Sequence, residues 1–213
     1  MNIKIPLEKG CLQGILQIPN DPIGLVLFSH GSGSSRFSKR NQYVATMLNE
    51  NQIATLLFDL LTEEEDKADA LDMSFRFNID LLTDRLLIAT NWASNQKNIK
   101  NLPLGYFGAS TGASAAINAA AKTKHEIAAI VSRGGRPDLS KENLKHLHSP
   151  ILLIVGGNDT LVISMNKEAF DLILCEKKIE LIQGATHLFE EKGKLEIVTR
   201  MAKKWFFYHF TKI

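Results

Sequence analysis

Short apolar runs alternate with longer amphipathic stretches along most of the chain. The first two runs, IKIPL and LQGILQIP, predict a pair of strands that turn near Lys9 and Gly10. The run GLVLFSH (24–30) is almost continuously apolar, as expected for a strand that is buried on both faces of a sheet. Similar runs predict further strands at 52–60, 102–108, 126–132, 150–157 and 178–184.

The stretches between these runs predict helices, because their apolar residues recur at helical spacing, as in Phe75, Ile79, Leu82, Leu86 and Ala89. The predicted helices span 38–50, 72–95, 111–123, 140–147, 163–175 and 190–210. Strands that alternate with helices indicate an α/β fold with a mostly parallel sheet covered on both faces. Ligands of such sheets bind beyond the carboxyl ends of the strands, so the residues after each apolar run are candidates for chemistry.

Composition narrows the class of protein without indicating a reaction. The 213 residues fit one domain over 1–213, and 45% of them are apolar and 23% charged. A formal net charge of +2 gives no electrostatic basis for binding nucleic acid or an anionic membrane. Cys11 and Cys175 predict reduced thiols, and no stretch has signal-peptide or membrane-spanning character. We therefore expect a cytoplasmic protein without a cofactor.

The segment GASTG (108–112) fits the G-x-S-x-G pattern of a nucleophile elbow. It follows a predicted buried strand and precedes an alanine-rich predicted helix, and an elbow requires this context. Glycines on both sides of Ser110 remove Cβ atoms that would collide in so sharp a turn. The alternative is a glycine-rich turn in which Ser110 only caps the helix.

A serine nucleophile needs a histidine base that is held by a carboxylate. Asp159 follows one predicted strand, in VGGNDTLV, and His187 follows the last one, in GATHLFEE. The chain order Ser, Asp, His is that of the elbow architecture. Asp138 also follows a strand and is the alternative acid. If there is no triad, Asp159 is a turn or helix-capping residue and His187 is a loop residue.

Acyl transfer also needs N–H donors for the oxyanion. The main-chain N–H of Thr111 is one candidate, and the loop HGSGSSR offers a second at Ser32 or, next, at Gly33. A phosphate-binding loop is the alternative interpretation of HGSGSSR, but the segment lacks the spacing and the lysine of that motif. His30, beside Gly31, is expected to brace the backbone.

His146 and His148 form an H-x-H pair that could ligate a metal, but no nearby cysteine or carboxylate completes a site. We therefore predict no metal centre.

The segments HGSGSSR, GYFGASTGAS, VGGNDTLV and GATHLFEE resemble the α/β-hydrolase superfamily, and most closely its dienelactone-hydrolase-like branch. The resemblance implies Ser110 as nucleophile, Asp159 as acid and His187 as base. It also implies an eight-stranded, mostly parallel sheet with one antiparallel strand near the N-terminus. Dienelactone hydrolase itself has a cysteine nucleophile, so the serine favours a general ester or thioester hydrolase. SRGGRPDL resembles a segment of hydrolase-like domains fused to phosphoribosyltransferases, but no phosphoribosyltransferase motif is present.

The expected substrate is a small molecule with an acyl group, because only a short segment follows the strand at 126–132 and no large cap is predicted. Arg36, Arg133 and Arg136 follow strands and are expected to hold a substrate carboxylate, although the acidic run 63–66 opposes this. An acyltransferase and a non-catalytic binding module of the same fold remain alternatives, and a homodimer stays open.

Overall fold

The computed structural model describes residues 1–212 and contains an eight-stranded sheet in the order β1-β2-β4-β3-β5-β6-β7-β8. The strands are β1 (Asn2–Pro6), β2 (Cys11–Gln17), β3 (Gly24–Ser29), β4 (Ile53–Phe58), β5 (Leu104–Ala109), β6 (Ile127–Arg133), β7 (Ile151–Gly156) and β8 (Lys177–Ile182). Strand β2 pairs antiparallel with both β1 and β4, and all other neighbours are parallel. The expected α/β-hydrolase sheet with one antiparallel strand is confirmed.

Helices cover both faces of this sheet. They are α1 (Lys39–Asn49), α2 (Glu63–Asp72), α3 (Ile79–Ser94), α4 (Thr111–Lys122), α5 (Lys141–Leu144), α6 (Thr160–Leu172) and α7 (Lys194–Thr211), with a 3-10 helix at Pro137–Ser140. Apolar side chains of α1 and α7 pack on one face of the sheet, and those of α3, α4, α5 and α6 pack on the other. The central strands β3 to β7 are buried throughout, which explains their continuous apolar sequences.

The segment between β4 and β5 differs from the expectation. The acidic run 63–66 is not a loop but the first turn of α2, because Thr62 and Glu65 form a reciprocal capping box. Helix α2 ends at Asp72, and the next residue, Met73, caps it in the left-handed conformation. The next helix begins only at Ile79 rather than at residue 72. Carboxylates in the first turn also favour the helix through its dipole.

Only short helices connect β6 to β7, so no large cap covers the carboxyl edge of the sheet. The loops after β3, β5, β6, β7 and β8 all lie at this edge, because these strands are parallel. Within residues 1–212, no helix is long and apolar enough to cross a membrane.

Candidate active site

Ser110 lies at the sharp turn between β5 and α4. Its backbone angles are φ 51° and ψ −121°, a strained conformation for a residue other than glycine. A Cβ atom at Gly108 would overlap Ala113, and one at Gly112 would overlap the carbonyl oxygen of Ser29. The flanking glycines thus let α4 start directly against the sheet, and the turn has the backbone of a nucleophile elbow.

The candidate acid and base contact each other directly. Asp159 follows β7 and His187 follows β8, and Nδ1 of His187 lies 2.7 Å from Oδ2 of Asp159. The carboxylate is mostly buried, whereas the imidazole remains 37% exposed at the sheet edge. Because the carboxylate accepts the Nδ1 proton, the neutral ring has its lone pair on Nε2, as a general base requires.

Main-chain contacts place Ser110 and His187 on either side of the end of β6. The N–H of Ser110 donates to the carbonyl of Arg133 at 3.2 Å. A Cβ at the next residue, Gly134, would lie 3.4 Å from Cε1 of His187. Between the described residues no hydrogen bond joins the Ser110 hydroxyl to His187, and such bonds are often long in enzymes without substrate.

The loop after β3 packs against the nucleophile. A Cβ at Gly31 would lie 3.1 Å from Cβ of Ser110, so the main chain passes close to the reacting position. The N–H of Ser32, one of the expected oxyanion donors, donates to Oγ1 of Thr111 at 3.0 Å. Gly33, the other expected donor in this loop, adopts a positive φ of 67°.

His30 holds the start of the same loop in place. Its Nδ1 donates to the carbonyl of Gly31 at 2.9 Å, and its Nε2 accepts the N–H of Leu60 at 3.1 Å. These partners require the neutral ring, and burial lowers the pKa of His30 while nearby groups, including Asp59, partly oppose this effect. His30 therefore ties the loop to the end of β4, as the sequence predicted for a bracing residue.

The three candidate substrate-binding arginines each have a partner within the protein. Arg36 forms an ion pair with Asp59 beside the loop. Arg136 forms a bidentate pair with Asp138 at 2.9 and 2.8 Å, and this bond raises the pKa of Arg136. That pair also commits the alternative acid, Asp138, to an arginine rather than to a histidine.

Arg133 does not open on the sheet edge as expected. Its side chain is buried and donates to Oδ1 of Asn41 on α1 at 3.1 Å. Burial, with a smaller contribution from Arg40, lowers the pKa of Arg133 to about 10. The side chain leaves the edge because residues of one strand alternate between faces, and this position points toward α1.

A cavity of about 230 Å³ lies beside the loop 31–36, and the sequence did not indicate it. Residues from 59 to 76 close its other side, including Arg76, which is held by Asp69. The buried carboxylate of Asp69 accepts the N–H groups of Phe75 and Arg76 and the Nε proton of Arg76. Burial alone would raise the pKa of Asp69, but these donors hold it below its ordinary value. The contacts between Asp69 on α2 and Arg76 in the loop after it match no short sequence motif, so the sequence did not predict them.

In the described part of the chain, no group of three or more His, Cys, Asp or Glu side chains is arranged to hold a metal ion. His146 and His148 are therefore not part of such a group in the described residues.

Residues 41–207 match the dienelactone hydrolase family. The chain belongs to this family. A crystal structure of dienelactone hydrolase from Anabaena variabilis is 47% identical, with a TM-score of 0.96 over 98% of this chain and 97% of that one. The protein Est1E from Butyrivibrio proteoclasticus shares the fold at 16% identity, with a TM-score of 0.83 over 99% of both chains. The family and the fold support a hydrolase activity.

Two Mycobacterium tuberculosis proteins, provisionally named phosphoribosyl transferases, are 49% identical over 196 residues. The match covers 92% of this chain but only 43% of those proteins. The chain thus spans less than half the length of these relatives.

Proposed function

We propose that this family member is a serine hydrolase that cleaves a small ester, lactone or thioester through an acyl-enzyme on Ser110. The observation that carries the proposal is the 2.7 Å hydrogen bond between Asp159 and His187, at the sheet edge where the elbow exposes Ser110. If His187 were only a loop residue, it would not need a carboxylate on Nδ1. If Ser110 only capped α4, its hydroxyl would bond to the first turn of that helix, and it makes no such bond.

In the first half of the reaction, Oγ of Ser110 attacks the substrate carbonyl carbon while Nε2 of His187 takes the hydroxyl proton. Asp159 holds the ring in position and stabilises the imidazolium that forms. The tetrahedral intermediate collapses, the bond to the leaving group breaks, and His187 returns the proton to the leaving oxygen or sulfur. The acyl group then remains on Ser110.

In the second half, His187 takes a proton from water, whose oxygen attacks the acyl carbon. The bond between the acyl carbon and Oγ of Ser110 then breaks, His187 returns the proton to Oγ, and the acid is released. The cavity beside the loop 31–36 is the place where part of the substrate would lie, and its volume of about 230 Å³ suits a small group. The absence of a large cap between β6 and β7 leaves room for a protruding leaving group.

The test combines labelling by a fluorophosphonate with turnover of small esters, lactones and thioesters. The wild-type protein should be labelled at Ser110, and Ser110→Ala should lose labelling and lower turnover by about 10³-fold or more. Ser164→Ala, which removes an exposed hydroxyl on α6, is the matched control and should behave as wild type. Turnover near the wild-type rate in purified Ser110→Ala would overturn the assignment.

Two other functions predict different results. An acyltransferase would transfer the acyl group to an added alcohol in preference to water, which product analysis reveals. A non-catalytic binding module would not react with the fluorophosphonate. Phosphoribosyl transfer is not proposed for this segment, because the match covers only 43% of the proteins with that name and the matched residues carry hydrolase motifs.

A further inference from the structure

The hydroxyl of Thr111 occupies an unusual position for a helical threonine. It accepts the N–H of Ser32 at 3.0 Å, and the residue is only 4% exposed. The expected second oxyanion donor is therefore already bound within the protein. The acceptor of the Ser32 N–H is the hydroxyl of Thr111, the residue that follows Ser110. The main-chain N–H of Thr111 is the other expected oxyanion donor.

The proton of this hydroxyl has no acceptor in residues 1–212. A hydroxyl donates one hydrogen bond and can accept two, and Ser32 uses only the accepting side. Five threonines inside helices donate to the carbonyl four residues earlier: Thr46, Thr83, Thr90, Thr199 and Thr211. Thr111 begins α4 and has no preceding helical turn, so this acceptor is missing. A buried hydroxyl with an unused proton points to an acceptor supplied by a ligand.

The surroundings indicate which ligand atom this is. The main-chain N–H of Thr111 also has no acceptor in the described residues, and it lies at the positive end of α4. The main chain at Gly31 passes directly against Ser110. An oxygen that becomes negative after attack by Ser110 would therefore meet an N–H and an O–H from the same residue.

We propose that Thr111 stabilises the oxyanion with both its main-chain N–H and its side-chain hydroxyl, and that Ser32 acts through Thr111. This inference rests on the proposed serine hydrolase function. The N–H of Ser32 polarises the hydroxyl and makes it a stronger donor, because hydrogen bonds in a chain reinforce one another. In this arrangement Thr111 is a catalytic residue and Ser32 is a positioning residue, which revises the expectation that Ser32 contacts the substrate.

The decisive variant is Thr111→Val, which keeps the shape and the main-chain N–H but removes the hydroxyl. We expect kcat to fall by about 10²-fold with KM changed by less than about threefold, since an oxyanion donor acts mainly in the transition state. Affinity for a trifluoromethyl ketone, which forms a tetrahedral adduct on the serine, should fall in parallel. Thr199→Val removes a buried hydroxyl from α7 and is the control for a general effect on folding.

If Thr111→Val folds poorly, Thr111→Ser and Thr111→Ala give the same comparison, because both lose the methyl group and only serine keeps the hydroxyl. The serine variant should exceed the alanine variant in kcat by a similar factor. Unchanged or increased kcat in Thr111→Val, in protein that fluorophosphonate still labels, would show that the hydroxyl does not stabilise the oxyanion and would overturn the proposal. Absence of labelling in the wild type would instead overturn the hydrolase function itself, and this proposal with it.

Discussion

The two flanks of Ser110 are built by different means. On the flank formed by β6, β7 and β8, one hydrogen bond joins Asp159 to His187, and the main chain at Gly134 passes close to the ring. On the flank formed by β3, β4 and α2, ion pairs surround a cavity of about 230 Å³. We infer that the first flank supplies the acid and the base of the chemical step and that the cavity on the second flank governs which substrate binds.

The largest expected effect comes from removing the base on the first flank. His187→Gln keeps a polar side chain that can contact Asp159 but cannot accept a proton from Ser110, so ester turnover should fall by about 10³-fold or more. His148→Gln, at the opposite edge of the sheet, is the matched control. Initial rates at saturating ester measure the effect, and comparable rates in the two variants would place the base elsewhere.

The first flank was predictable from the sequence because each of its groups directly follows an apolar strand. Ser110, Asp159 and His187 were identified in this way, and parallel strands bring such positions to one edge. Their catalytic roles remain predictions. The eight-stranded, mostly parallel sheet and its one antiparallel strand were implied by the family resemblance and are confirmed.

The second flank was not predictable, because its contacts join side chains that no short motif relates. Arg36 follows a strand as expected, but its partner Asp59 comes from a different strand end. Arg76 was assigned to a helical stretch, whereas it lies in the loop that Asp69 organises. The capping box at Thr62 and Glu65 was a local signal that could have revealed α2.

The next largest expected effect is a loss of stability when Asp69, which holds the loop that carries Arg76, is replaced. Asp69→Asn should lower the free energy of unfolding by about 2–3 kcal/mol, because the partly buried Arg76 side chain and two main-chain N–H groups lose a buried, charged acceptor. Denaturant unfolding measures the change. Asp72→Asn, an exposed substitution on the same helix, should cost much less. Equal costs in the two variants would mean that the Asp69 contacts contribute little stability.

His30 predicts a smaller effect that depends on pH. Its pKa is lowered in the folded protein, mainly by burial, from an unfolded value of about 6.5. As the pH falls below about 6.5, the unfolded chain therefore binds more protons at this position, and the folded state loses stability until the pH passes the folded pKa. At higher pH this contribution is constant.

The measurement is the thermal midpoint between pH 7.5 and pH 5 for the wild type and for His30→Gln, which lacks the titrating ring. The wild type should lose more stability over this range than the variant. His209, whose pKa burial also lowers, is present in both proteins and cancels in the comparison. Parallel curves for the wild type and His30→Gln would contradict a buried neutral His30.

The smallest expected effect concerns the charge of the cavity. The sequence predicted a preference for acidic esters, with arginines as the binding groups. The cavity is lined by Arg36 and Arg76, but also by the carboxylates of Asp59, Glu63, Asp66 and Asp69. Carboxylates therefore outnumber guanidinium groups, and Arg36 and Arg76 are each already paired with one of them. A substrate carboxylate in this cavity would face net repulsion.

We therefore expect the opposite preference: a neutral ester should exceed its carboxylated analogue of equal size by about 3- to 10-fold in kcat/KM at low ionic strength. The ratio should shrink in high salt, because the lining charges are partly exposed and are screened. Glu63→Gln removes a lining charge and should reduce the ratio, whereas Glu64→Gln removes a neighbouring charge that does not line the cavity and should not. A preference for the carboxylated ester would restore the arginines as its binding groups, and would mean that the ion pairs with Asp59 and Asp69 open when substrate enters.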